Sequence, residues 1–181
     1  MKKLLMILPL VFLLCFALAC QDKEAMAELE EFKAQAEVEE QNKDLVKRFH
    51  EEVNKGNFEI LKEVSAPDIV SYFPSNKLEA TKSEEERIEE MKMLIGAFPD
   101  LNQSIEELFA VGDRVIVRTI FTGTHEGEIM GIPATGNKIE ISFITIYHIK
   151  NGKIIEDKTD ADMLGLMQQL GMELKPKEGE K

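Results

Sequence analysis

The sequence predicts an α+β domain in which a meander of antiparallel strands folds over a preceding group of helices. Three observations predict it. Apolar residues recur at helical spacing between Gln41 and Phe98. The period changes to two from Leu101 to Asp160. The turn dipeptides Gly112-Asp113 and Asn151-Gly152 divide that second region into strands. A meander with one apolar face has to bury that face against the helices. A strongly curved sheet folded over helices leaves a cone-shaped cavity between them.

The elements follow in chain order. Leu45, Val46, Phe49 and Val53 form one helical stripe, and Gly56-Asn57 is its stop. Phe58, Leu61 and Val64 make a second short helix that ends before Pro67. Ile69 to Phe73 is a short first strand. Ser83 with Glu86 is a capping box, in which side chains satisfy the free N–H groups of a helix start. Ile88, Met91, Ile95 and Phe98 are the buried stripe of that third helix, and Pro99 ends it. Strands are expected at 101–111, 113–125, 138–150 and 153–160, with a Gly- and Pro-containing loop from Gly127 to Gly136. Asn-Gly is the stronger of the two hairpin signals, because both residues tolerate positive φ. After Asp162 a short helix closes the domain, with Gly171 at its end.

The first twenty residues have a different character. Lys2 and Lys3 give a positive start, and Leu4 to Ala19 carries no charge over 16 residues. That is short of the roughly 20 residues of a membrane-spanning helix. It fits a secretory signal peptide over residues 1–19. Ala17-Leu18-Ala19-Cys20 resembles a bacterial lipobox, which makes Cys20 the expected lipidation site. An ordinary cleaved signal and an uncleaved anchor are the alternatives. Cys15 leaves with the leader and Cys20 is acylated, so no thiol remains for disulfides, nucleophilic catalysis or metal binding. Gln21 rather than Asp follows Cys20, which favours the outer membrane in a host that has one. The expected location is the cell envelope.

Residues 20–40 form an acidic tether, either a solvated helix or a disordered segment. The domain then runs over 41–172, and 173–181 is a charged tail. Formal charge is −12, and loss of Lys2 and Lys3 with the leader takes it to −14. Such a surface repels nucleic acid and anionic lipid, so membrane attachment has to come from the acyl chains.

Several short motifs occur in a fixed order. They are Phe98-Pro99-Asp100-Leu101, Gly112-Asp113-Arg114-Val115, Gly123-Thr124-His125-Glu126-Gly127, Gly131-Ile132-Pro133-Ala134-Thr135-Gly136, Gly152-Lys153-Ile154-Ile155-Glu156 and Gln169-Leu170-Gly171. As an ordered set over roughly 41–171 they resemble the SnoaL-like polyketide cyclase, or ester cyclase, family. The resemblance implies the cone-shaped α+β barrel of the nuclear-transport-factor-two-like superfold. It implies homodimers or higher oligomers through the outer sheet face, a homodimer being the expected state. It also implies cofactor-independent, metal-free acid–base chemistry on a carbonyl compound. A base removes a proton next to the carbonyl, and a donor stabilises the enolate oxygen.

Carried over residue by residue, the resemblance makes His125 the acid–base group. Thr145 stands where cyclases carry an acid, Lys158 where many relatives have Trp, and Tyr72 where the first strand has a His. Asp162 matches the acid before the last helix. The residues themselves leave alternatives open. His125 shares a strand face with Val115, Val117 and Phe121, as either a cavity residue or a hydrogen-bonded structural one. Phe143, Thr145 and Tyr147 share a face with Ile139, Ile141 and Ile149, as either pocket lining or core. Lys158 is either an exposed edge residue in surface ion pairs or an inward amine acting as base or Schiff-base former. Asp162 is either an N-cap or a ligand contact. The expected catalytic set is therefore His125, Lys158 and Asp162, and the expected ligand-binding set is Tyr72, Phe143, Thr145 and Tyr147. The three histidines show no metal-ligand spacing. The expected partner is a small apolar ligand, either transformed or simply bound; the alternative is a non-catalytic envelope interaction domain.

Overall fold

The structure, a computed structural model, describes residues 2–73, 80–173 and 175, with side chains from residue 23 onward. Helix α1 spans Lys2–Asn54. The chain divides into two units, Met1–Val38 and Glu39–Lys181. In the first unit α1 continues as regular helix through the acidic stretch, with Met26, Leu29 and Phe32 exposed. Cys20 lies among the residues whose side chains are outside the described set, as does most of the 173–181 tail. No helix of the described residues is long and apolar enough to cross a membrane.

The second unit contains the rest of the fold. Asn42, Val46, Phe49, His50 and Val53 are buried along one face of α1. Their spacing is that of a helical stripe. Gly56, at φ +76, follows the helix end. Helix α2 (Ile60–Val64) buries its three apolar residues and leads directly into β1 (Ser65–Tyr72). Helix α3 (Glu84–Ala97) starts at the expected box: Ser83 accepts from the Glu86 N–H, and Glu86 accepts from the Lys82 N–H. Strands β2 (Asn102–Val111), β3 (Arg114–Thr124), β4 (Lys138–Lys150) and β5 (Lys153–Ala161) follow, then α4 (Met163–Gln169).

Two expectations are corrected here. The sheet is not a closed barrel. Its order is β1-β5-β4-β3-β2, so β1 and β2 are separate edges with no pairing between them. Closure requires the two edges to meet, and here they do not. The sheet is also not antiparallel throughout, because β1 runs parallel to β5, with Ser71 opposite Asp157 and Tyr72 opposite Lys158. Strands β2 to β5 do form the expected antiparallel meander. The physical reason is connectivity. Tight hairpin turns force neighbours to be antiparallel, whereas β1 is separated from β5 by α3 and three strands and takes its free edge.

The core lies between the helices and one sheet face. Phe49 meets Tyr147 edge-to-face at 6.2 Å, and Phe98 meets Phe121 the same way at 5.6 Å. Period-two burial sends Val115, Val117, Thr119 and Phe121 of β3 inward, with Ile139, Ile141, Thr145, Tyr147 and Ile149 of β4. The opposite face leaves Ile116, Ile144 and Ile146 exposed, together with Phe109 of β2.

Candidate functional site

Two polar centres lie inside the apolar core. The first is built where the ordered motifs converge. Residue 125 follows directly on β3, and the loop that follows returns past the end of α3. Glu126 and Gly127 both donate from their backbone N–H groups to the Ala97 carbonyl, at 2.9 and 3.1 Å. Asp100 accepts from the Thr124 N–H at 2.5 Å and from its hydroxyl at 2.7 Å. These two bonds hold the Asp100 carboxyl below its usual pKa. The glycines of this motif have a steric cause. A Cβ on Gly127 would sit 2.1 Å from the Gly96 carbonyl oxygen, and one on Gly123 would sit 3.1 Å from the Phe98 Cβ. The motif therefore clamps the strand end against the helix end.

His125 sits at the centre of this clamp and is fully buried. Its backbone N–H donates to the Asn137 carbonyl, and its own carbonyl accepts from the Gly136 N–H, both at 2.9 Å. Its ring lies against Phe98, with centroids 5.4 Å apart. Nδ1 accepts from the Thr135 backbone N–H at 3.2 Å, with the Thr135 hydroxyl 3.0 Å away. The Asn137 N–H donates to that hydroxyl oxygen, which leaves its proton for the ring. Nδ1 is thus an acceptor, and in the neutral ring the proton is on Nε2. Nε2 is buried and has no hydrogen-bond partner among the described residues. Leaving such a donor unpaired costs roughly 1–3 kcal/mol.

The second centre lies toward the other end of the inner face. Arg87 of α3 reaches Asp157 of β5 (Nη2 to Oδ1, 3.6 Å) and Glu90 (Nη1 to Oε2, 3.4 Å). The Ser71 hydroxyl donates to the same Asp157 oxygen at 2.6 Å. Glu90 also accepts from the Thr81 hydroxyl. Burial alone would lower the Arg87 pKa, but Asp157, Tyr147 and Glu90 together raise it. Tyr147 lies directly across from Asp157 in the β4–β5 register. Its hydroxyl donates to His50 Nε2 at 3.1 Å, and His50 Nδ1 donates to Gln103 Oε1 at 2.7 Å. Burial pushes the Tyr147 hydroxyl above the ordinary tyrosine range and pushes His50 down to about 4. One step along the strands, Thr145 and Thr159 share a hydrogen bond at 2.9 Å.

The residues singled out from sequence fall into three groups. His125, Phe143, Thr145 and Tyr147 all lie on the helix-covered side of the sheet; Phe143 contacts Phe121 at 5.5 Å and Phe73 at 6.1 Å. Tyr72 and Lys158 point the other way. Lys158 Nζ lies over the Tyr72 ring at 5.4 Å and pairs with Glu156 at 3.2 Å, which is the surface arrangement. Alternation is the reason, since the inward positions of β1 and β5 are Ser71 and Asp157. Asp162 caps α4 by accepting from the Gly165 N–H at 2.8 Å. Arg87, Asp157 and His50 were missed. Asp157 and Thr159 alternate through β5 in phase with Tyr147 and Thr145 of β4, and that shared polar phase was the available signal. Among the described residues no three His, Cys, Asp or Glu side chains are grouped to hold a metal.

The family model for SnoaL-like polyketide cyclases matches residues 44–170. The chain belongs to that family. The SnoaL-like domain is similar to a Jannaschia sp. CCS1 structure described as a SnoaL-like polyketide cyclase, at 27% identity and TM-score 0.69, covering 75% of this chain and 95% of that one. It is similar to a structure from Acidithiobacillus ferrooxidans described as a polyketide cyclase, at 32% identity and TM-score 0.64, covering 72% and 94%. It is also similar to AclR from Streptomyces galilaeus, described as a hydroxylase, at 28% identity and TM-score 0.65, covering 74% and 97%. The search of curated proteins found no match. One scaffold thus carries differently described chemistries, and the site has to decide between them.

Proposed function

We propose that the SnoaL-like domain binds a small, largely apolar carbonyl compound, whose oxygen accepts a hydrogen bond from His125 Nε2–H. One observation carries the reading: Nε2 is a buried donor, fixed in tautomer by Thr135, without a partner among the described residues. A carbonyl oxygen removes that cost, and an oxygen gaining charge removes more of it. In this role His125 polarises a carbonyl and is not a base. The domain runs over 41–172 and uses no cofactor.

The observations favour binding over turnover. No carboxylate faces the core at Thr145, which instead bonds Thr159. Asp157 is held by Arg87 and Ser71. Acid–base transformation of the carbonyl ligand is the second reading. Its support is the description of relatives as polyketide cyclases.

The same reading places the domain in the cell envelope. A leader over 1–19 is removed, Cys20 carries the lipid, and residues 20–40 form the spacer, with the outer membrane as the site in a host that has two membranes. The charge-free run before Cys20 supports this. A second copy is proposed on the outer sheet face, where Phe109, Ile116 and Ile146 stand in register across three strands and are exposed.

Native mass spectrometry of the mature protein tests the central claim. A carbonyl-bearing small molecule is expected to travel with the wild-type protein and to be absent from His125→Phe, which keeps the ring against Phe98. Equal retention by both proteins removes His125 from the site. Deuterium exchange next to the carbonyl of the bound compound, lost in the same variant, would select turnover.

A further inference from the structure

Arg87 is an uncommon residue to find in a core. Its side chain is 9% exposed, and two of its three nitrogens are accounted for by Glu90 and Asp157. The third, Nε, is buried and has no hydrogen-bond partner among the described residues. A guanidinium offers five donors in a fixed fork, so a ring of acceptors around it is the normal buried state. Here one edge of the fork is bare. It lies between α3 and the inner sheet face, with Asp157 Oδ1 3.6 Å from the neighbouring Nη2.

We propose that Arg87 Nε–H is a second ligand-docking point, which takes a neutral oxygen acceptor such as a ketone, ester or lactone carbonyl. This rests on the reading that the inner face binds a carbonyl compound, and it narrows the compound's class. Charge sets the choice of a neutral group. Asp157 and Glu90 already place two carboxylates against one guanidinium. An anionic ligand meets net negative charge there, whereas a carbonyl dipole only needs the free N–H.

Geometry sets the length. Arg87 is in the first turn of α3, and the His125 ring lies against Phe98 at the helix's other end. At 1.5 Å per residue, the backbone positions of Arg87 and Phe98 are on the order of 15 Å apart along α3. One small carbonyl cannot satisfy both donors. A ligand that engages both is elongated and apolar in its middle, with an oxygen acceptor toward each end. Val117, Phe121 and Ile141, buried and apolar along β3 and β4 from Tyr147 toward the end of β3, suit such a middle. Both nitrogens are buried, so the ligand enters by displacing part of what covers them.

Nitrogen-15 NMR on the whole mature chain tests this. The probes are a straight-chain methyl diketone of matching length, the monoketone of the same chain, and the parent alkane. The Arg87 Nε–H and His125 Nε2 signals are assigned by through-bond correlation in the wild-type protein, so no variant has to fold. The diketone is expected to shift both signals and the alkane neither. Arg87→Lys keeps the charge beside Asp157 but lacks the Nε donor. It is expected to weaken the diketone about tenfold, one hydrogen bond's worth, and to leave monoketone affinity unchanged. A diketone that moves His125 but not Arg87 overturns the second docking point and leaves the first standing. So does equal diketone affinity in Arg87→Lys and wild type. Probes that move neither signal at saturation overturn the His125 reading, and this one with it.

Discussion

The domain buries two histidines, and they are held in opposite ways. His50, on α1, has both ring nitrogens engaged, Nδ1 by Gln103 and Nε2 by Tyr147. His125, beyond β3, has Nδ1 engaged by Thr135 and Nε2 unpaired among the described residues. Two partners make a buried imidazole a structural cross-link. One partner makes it a donor of known tautomer still able to bond something else. The difference separates a histidine that joins helix to sheet from one that can meet a ligand, although both are buried rings beside aromatic neighbours.

The largest expected effect tests the cross-link by acid. His50 has a folded-state pKa of about 4 against 6.5 for the free side chain, chiefly through burial. Between those values the unfolded chain binds a proton that the folded chain refuses. Stability is therefore complete above pH 6.5 and falls as the pH drops toward 4. The loss is about 3 kcal/mol, from 1.36 kcal/mol per pKa unit. Urea unfolding at pH 7 and pH 4 measures it, and His50→Gln should flatten that dependence. An unchanged slope in the variant would assign the acid sensitivity to other groups.

The next effect acts on the other histidine. Gly127→Ala drives a methyl into the Gly96 carbonyl oxygen. Relief requires the loop after β3 to move off the end of α3. The expected loss is about 1–3 kcal/mol in thermal or urea unfolding. The His125 ring signals should shift while those of His50 stay in place. Movement of both sets would mean that the two centres are not independent.

The smallest effect leaves each histidine with one unpaired ring nitrogen. Tyr147→Phe removes the donor to His50 Nε2 and leaves that nitrogen a buried, unpaired acceptor, where the unpaired nitrogen of His125 is a donor. The expected cost is about 1 kcal/mol. The His50 side-chain signals should broaden or move, with the β4 backbone unchanged. A variant as stable as wild type would show that water readily replaces the tyrosine hydroxyl.

Much of the fold was legible because it is written in local periods. The Ser83–Glu86 box, the helical stripe through Val46 and Phe49, and the Asn151-Gly152 turn each depend on neighbours within a few residues. The meander followed from those turns. The position of β1 did not, because its parallel partner β5 begins more than eighty residues away, and no local pattern encodes that pairing. At the site, His125 was legible through its glycines, which the end of α3 makes obligatory. Tyr72 and Lys158 were placed with it by motif position, yet one step of strand alternation turns both to the outer face. Arg87 gave no signal at all, since an arginine in the first turn of an acidic helix normally faces water.

The sequence by itself determined the helix and strand order, the acidic charge, the charge-free run from Leu4 to Ala19 and the family motifs. Those properties depend on composition and on short-range spacing. The tertiary structure alone decided that the sheet stays open, that β1 joins β5 in parallel, and which buried polar atoms find partners. Partnership depends on the meeting of residues such as Arg87 and Asp157, or His50 and Tyr147, from distant parts of the chain. Hydrogen bonding in a core is settled atom by atom at about 3 Å, a scale that no one-dimensional pattern carries.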